Sequence, residues 1–112
     1  DQIETVHLIG EVKGCNAVIV DDLISTGSTL IEAAQILLEH EVSSVYATCT
    51  HPVFSAESVN KLNASPLSEI IISDTIPTAN LPSKFTVLSV SELLAEAIKR
   101  IHLETSVSSL FI

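Results

Sequence analysis

The chain has no tryptophan, no methionine, two cysteines and five basic residues. Each scarcity removes a class of protein. Cys15 and Cys49 are too few and too far apart for a disulfide framework or a zinc site, so they read as buried free thiols, both on strands, in a reducing compartment. Against Lys13, Lys61, Lys84, Lys99 and Arg100 stand fourteen acidic residues, for a formal net charge of −9. That balance argues against nucleic acid and against anionic membranes as partners. No apolar run approaches the roughly 20 residues of a membrane span. Asp1–Thr5 has neither the basic start nor the apolar stretch of a signal peptide, and the reading is a soluble, cytoplasmic protein. Residues 1–112 make one domain, enough to bury a core. With no initiator methionine, the chain is expected to be a piece of something longer.

What is present concentrates between Ala17 and Thr29. Ala17-Val18-Ile19-Val20 has no polar alternation and predicts a strand buried on both faces, the pattern of a central strand in a parallel sheet. Asp21 and Asp22 then fall at its carboxyl end, where open α/β sheets bind ligands. Ser25-Thr26-Gly27-Ser28-Thr29 follows, placing backbone amides, a glycine and several hydroxyls at the mouth of a helix. Such a mouth holds phosphate, because the unpaired amides and the positive end of the helix dipole face one anion. Carboxylates beside a phosphate cradle repel the phosphate but suit sugar hydroxyls and a divalent metal. A ribose 5-phosphate moiety satisfies both halves of the pattern. An ordinary strand-loop-helix turn, with Asp and Ser as loop and capping residues, is the bland alternative, and the ordered context outweighs it.

The remaining elements are read from periodicity and breakers. A first short strand is expected over 4–9, closed by the turn Glu11–Gly14. The helix after the loop should run from Ser28 to His40, with Thr29 and Glu32 at capping-box spacing and an apolar stripe of Leu30, Ala33, Ala34, Leu37 and Leu38. A strand over Val42–Thr50, a helix over Ser55–Ala64 and a strand over Glu69–Ser73 follow. Pro77 and Pro82 break the connection to a last strand, Phe85–Leu88. The final helix should start at Ser89, boxed by Glu92, and end near His102. Alternating strands and helices predict an α/β domain with a parallel sheet and right-handed crossovers. Among the polar candidates, His51 is expected to bond a loop carbonyl, Asp74 to cap a turn, and His40 to complement the helix dipole. None of the five cations lies near the loop in sequence, so the charge offset that phosphoryl transfer requires must come from elsewhere.

The segment from Asp21 to Thr29 resembles the phosphoribosyl pyrophosphate signature of type I phosphoribosyltransferase-fold proteins. Within that group the chain is similar to the ribose-phosphate pyrophosphokinases, or phosphoribosyl pyrophosphate synthetases. The supporting stretches are Ala47–Ser55, Lys61–Pro66, Asp74–Pro77, Val87–Ile98 and the closing Ser106–Phe111, in the family's order. The resemblance implies a three-layer α/β domain with a parallel sheet, the C-terminal part of a two-domain enzyme, incomplete at its N-terminal side. It implies the transfer of pyrophosphate from MgATP to ribose 5-phosphate in an oligomer of the hexamer type, with Mg²⁺ as the metal. Asp21 and Asp22 would serve the ribose hydroxyls and, indirectly, Mg²⁺; Ser25, Thr26, Gly27, Ser28 and Thr29 would serve the 5-phosphate. Ser106, Ser108 and Phe111 match a regulatory phosphate or nucleotide site between subunits. Ser25 departs from the acidic residue common there and lies nearer the transferase pattern. The family's ATP contacts and Lys-Arg loop have no counterpart, so no catalytic residue is assigned and the chain alone is expected to be inactive. A phosphoribosyltransferase and a non-catalytic synthetase-associated regulatory subunit remain the rival readings.

Overall fold

Residues 7–112 are described by the computed structural model. The first strand expected over 4–9 lies partly outside them, and residues 7–9 are irregular. Regular structure begins with β1 (Asn16–Ile24) and α1 (Ser28–Glu39), continues with β2 (Ser44–Pro52), α2 (Ala56–Asn63), β3 (Glu69–Ser73) and β4 (Phe85–Leu88), and ends with α3 (Ser91–His102) and a 3₁₀ turn over Ser108–Phe111. The four strands are parallel and adjacent in chain order. This is the α/β sheet expected from the alternation of elements.

One face of that sheet makes the core. Ile19, Ala47, Ile70 and Phe85 stand in register across all four strands, and they pack with Leu30 and Ala34 of α1 and Leu62 of α2. Phe85 meets Phe54 edge-on, with ring centroids 5.7 Å apart, a favoured geometry for aromatic pairs. The other face is different. Val18 is 59% and Val20 75% exposed, and among the described residues β1 lies at the edge of the sheet rather than at its centre. Among the described residues the apolar run Ala17–Val20 therefore has one covered face, not two. Of the three layers expected, the described residues complete the sheet and the α1–α2 layer. α3 buries none of its residues and exposes Leu93, Leu94, Ile98 and Ile101. The radius of gyration is accordingly 16.7 Å, against about 13 Å for a compact chain of this length.

Capping departs from expectation at two helices. α1 starts at Ser28 with Gly27 as its N-cap and no side-chain cap, so Thr29 sits inside the first turn and cannot box with Glu32. α3 starts at Ser91, two residues after the expected cap at Ser89. Asp74 takes over there: its carboxylate accepts from the Ser89 hydroxyl at 2.6 Å and the Val90 amide at 2.9 Å. α2 is boxed by a serine pair, Ser55 and Ser58, and the His40 ring lies 2.8 Å from the Ile36 carbonyl at the end of α1. Cys15 precedes β1 and is exposed, contrary to the buried strand position expected, whereas Cys49 is buried on β2.

Gly27 joins two requirements in one position. Its φ is +82°, and a Cβ there would lie 2.8 Å from Leu62 Cδ2 and 2.9 Å from Leu62 Cγ. Gly27→Ala is expected to destabilise the chain by about 2–4 kcal/mol in urea denaturation, from left-handed backbone strain plus overpacking. Combined with Leu62→Ala, the two losses should add to less than their sum, since truncating Leu62 removes the clash; strict additivity would refute the packing account.

Asp74 yields a pH prediction. Hydrogen bonds from the Ser89 side chain, then from the Val90 amide, hold its carboxyl below the ordinary aspartate range. A depressed folded pKa stabilises fully above the unfolded-state value and is lost as pH falls through the folded one. Protection of the Val90 amide from hydrogen exchange should therefore exceed that of Asp74→Ala at neutral pH. The difference should disappear in acid, below the ordinary aspartate range; a pH-independent difference would refute it.

Candidate functional site

The loop over 25–29 leaves the end of β1 and turns through Gly27 into the first turn of α1. Because the N-cap Gly27 has no side chain to cap this helix, the amides of Thr29 and Leu30 in its first turn keep their donors for something outside the helix. Ser28 N donates to Thr26 Oγ1 at 3.3 Å, and Thr26 Oγ1 in turn donates to Ser28 Oγ at 3.4 Å. Asp21, Leu23, Ile24, Ser25, Thr26, Gly27, Thr29 and Leu30 line a cavity of about 270 Å³, near the lower end of small-molecule clefts at about 300–1,000 Å³. A larger cavity, about 460 Å³, lies between Pro52–Ala56 and Ile76–Leu81. Its lining contains no titratable side chain, so it offers no acid, base or cation, and the loop is the better candidate.

The acidic pair is arranged differently from a strand-end clamp. β1 runs on to Ile24, so Asp21 and Asp22 are within the strand. Of the two, Asp21 lines the loop cavity and Asp22 does not. Asp21 Oδ1 accepts from the Asp22 amide at 2.8 Å. Asp21 also borders a second cavity over the strand ends, with Thr48, Cys49 and Ser73. Burial pushes the Cys49 thiol above its ordinary value; a hydrogen bond with the Ile24 backbone pulls it partly back, and the Asp21 charge raises it further. This thiol stays protonated and is no nucleophile. No cluster of three metal-ligating side chains forms among the described residues.

Other candidates sort by their partners. The hydroxyls of Ser73 and Thr75 both donate to the Thr50 carbonyl. Thr75 has thereby spent its proton, so His51 Nδ1, at 2.9 Å from Thr75 Oγ1, carries the hydrogen and donates. His51 thus holds a loop hydroxyl, not the carbonyl expected. Ser106 and Ser108 lie 3.0 Å apart through their hydroxyls. Their tail folds back on α3 through Arg100, which donates to the Ser106 carbonyl and the Ser109 hydroxyl and pairs with Glu96. Phe111 stays exposed.

One residue escaped the sequence. Lys61, on α2, donates from Nζ to Ser28 Oγ at 2.9 Å across 33 residues of chain. The expectation that no cation approaches the loop is therefore wrong. The only available signal was indirect: α2 ends in Lys61-Leu62, and Leu62 is the side chain that packs on Gly27.

Comparison with known proteins bears on the whole chain. The model of the phosphoribosyl synthetase-associated domain family matches residues 2–112. A ribose-phosphate pyrophosphokinase of Caldanaerobacter subterraneus subsp. tengcongensis is 47% identical over 110 residues, which are 96% of this chain and 35% of that protein. The chloroplastic ribose-phosphate pyrophosphokinase 2 of Arabidopsis thaliana is 45% identical over 111 residues, 97% of this chain and 28% of the relative. The crystal structure of phosphoribosylpyrophosphate synthetase from Mycobacterium smegmatis superposes with a TM-score of 0.82 at 31% identity, covering 92% of this chain and 35% of that one. The chain thus spans about a third of the length of these relatives.

Proposed function

The chain belongs to the phosphoribosyl synthetase-associated domain family, and from that membership we propose that it forms the ribose 5-phosphate end of a ribose-phosphate pyrophosphokinase. The reaction transfers the pyrophosphoryl group of MgATP to the 1-hydroxyl of ribose 5-phosphate, giving phosphoribosyl pyrophosphate and AMP. The observation that carries this reading is the uncapped, hydroxyl-rich start of α1 opening on a cavity that Asp21 also lines. An anion at the loop and a sugar hydroxyl at the carboxylate suit the two ends of one sugar phosphate. Relatives bearing the synthetase name over nearly the whole chain favour this reaction over the phosphoribosyltransferase reading.

In this reading Ser25, Thr26, Gly27, Ser28 and Thr29 hold the 5-phosphate, and Asp21 accepts from the ribose hydroxyls. The protein's work in such a transfer is positioning and electrostatics. Asp21 and Asp22 are hard oxygen donors of the kind Mg²⁺ takes. They would serve the ion indirectly, through water or the ribose hydroxyls, since no group of three ligating side chains forms among the described residues. When bound, Mg²⁺ offsets the negative charge of the phosphates. The exposed apolar residues of β1 and α3 are the surfaces proposed for further parts of such a protein or for other copies in an oligomer. No helix among the described residues is long and apolar enough to cross a membrane. The proposed setting is the cytoplasm, with a plastid as the alternative that the chloroplastic relatives raise.

Titrating the isotope-labelled chain with ribose 5-phosphate should shift the amides of Ser25–Thr29. Shifts confined to the tail over 106–112, with none at the loop, would overturn the assignment. Asp21→Asn should weaken binding about tenfold or more, on the scale of a lost hydrogen bond to a charged group. Asp22→Asn, outside the cavity, should cost less.

The chain by itself should release no AMP from saturating MgATP and ribose 5-phosphate in a coupled assay. No Lys or Arg lines the loop cavity, and losing even one preorganised donor typically costs about 10²–10³ in rate. Turnover near that of a whole ribose-phosphate pyrophosphokinase would contradict this.

A further inference from the structure

We propose that Lys61 is the phosphate-neutralising residue of the loop over 25–29, an inference that rests on reading that loop as the ribose 5-phosphate site. Three features of the structure carry it. First, Lys61 Nζ already sits on the loop, 2.9 Å from Ser28 Oγ. Second, it does so against a local alternative. Glu57 lies one turn earlier on α2, an i, i+4 order that favours an ion pair, yet the ion pairs formed among the described residues are Lys13–Glu41 and Arg100–Glu96. Glu57 and Lys61 instead border a small cavity with Thr26, Ser55 and Ser58, and the ammonium points to the loop. Third, the direction is fixed by packing, since the neighbouring Leu62 is fully buried against Gly27.

The hydrogen bonds leave a donor in place for an anion. Ser28 Oγ accepts from both Lys61 Nζ and the Thr26 hydroxyl, which uses its two lone pairs and leaves its own hydrogen free to donate outward. A phosphate seated at the first turn of α1 meets that hydrogen, the unpaired amides and the lysine charge together. Lysine serves phosphate as a point charge on a flexible stem, so Lys61 can move its donor from Ser28 to the incoming oxygen without disturbing α2. The need is large in this chain, because Asp21 and Glu57 border the loop and the net charge is −9. Without a cation, a dianion would enter against that field with only neutral donors to hold it.

The test titrates the 112-residue chain with ribose 5-phosphate, and with ribose as the uncharged probe, while following the amides of Ser25–Thr29. Lys61→Gln should weaken ribose 5-phosphate binding about 10–100-fold, and Lys61→Arg should retain most of the affinity. The response to ribose should be the same in all three proteins. Since Lys61 is exposed, the amide spectrum outside the loop should match the wild type and show that the fold is kept. If Lys61→Gln binds ribose 5-phosphate as tightly as wild type with the loop shifts intact, the lysine role is overturned while the loop stands. If ribose 5-phosphate leaves the wild-type loop unshifted, the site reading falls and this inference with it.

Discussion

The contact of Leu62 with Gly27 organises the functional end of this protein. A leucine from the last turn of α2 lies so close to the loop that no Cβ can stand at residue 27, and the glycine's left-handed backbone turns the chain from β1 into α1. Steric exclusion and conformational freedom thus meet at one residue. Without that approach α2 would sit farther out, and Lys61, the residue just before Leu62, would not reach Ser28. A single apolar contact, fully buried, sets the position of the polar atoms around it.

Around that contact the electrostatics are lopsided. The chain is strongly acidic, and its two ion pairs among the described residues lie elsewhere, at Glu41 and on α3. What suits an anion at the loop is local: uncapped amides, a Ser28 hydroxyl whose lone pairs are taken by Thr26 and Lys61 so that its hydrogen is free, and one ammonium group. Such donors act within the first turn of a helix, at distances well inside a screening length. The carboxylates work at a different distance. Asp21 reaches the cavity from the strand, whereas Asp22 lies outside its lining.

The uncovered side of the sheet follows from the same arrangement. Packing of α1 and α2 on one face buries Val45, Ala47, Ile70 and Ile72 almost completely, while β1, at the edge among the described residues, leaves Val18 and Val20 exposed on the other. α3 is anchored at its start by Asp74 and at its end by Arg100, through polar contacts with turn and tail. Its apolar stripe has no counterpart among the described residues. An edge strand and a helix both presenting aliphatic side chains are surfaces that further structure can cover.

Much was legible in the sequence because local physics decided it. The strands Glu69–Ser73 and Phe85–Leu88, the proline-broken connection between them and the helix after Gly27 follow from periodicity, breakers and propensity, which need no knowledge of distant residues. The loop over 25–29 and the turn-capping Asp74 were readable for the same reason. Tertiary structure decided the rest. Whether Ala17–Val20 is central or at an edge depends on what pairs beside it, and an apolar run looks alike in both places. The helix caps at Thr29 and Ser89 failed because a glycine turn and a carboxylate from the turn after β3 set where those helices begin. Lys61 at Ser28 was invisible along the chain because the two are brought together only by Leu62 closing on Gly27, a long-range packing event with no local signature.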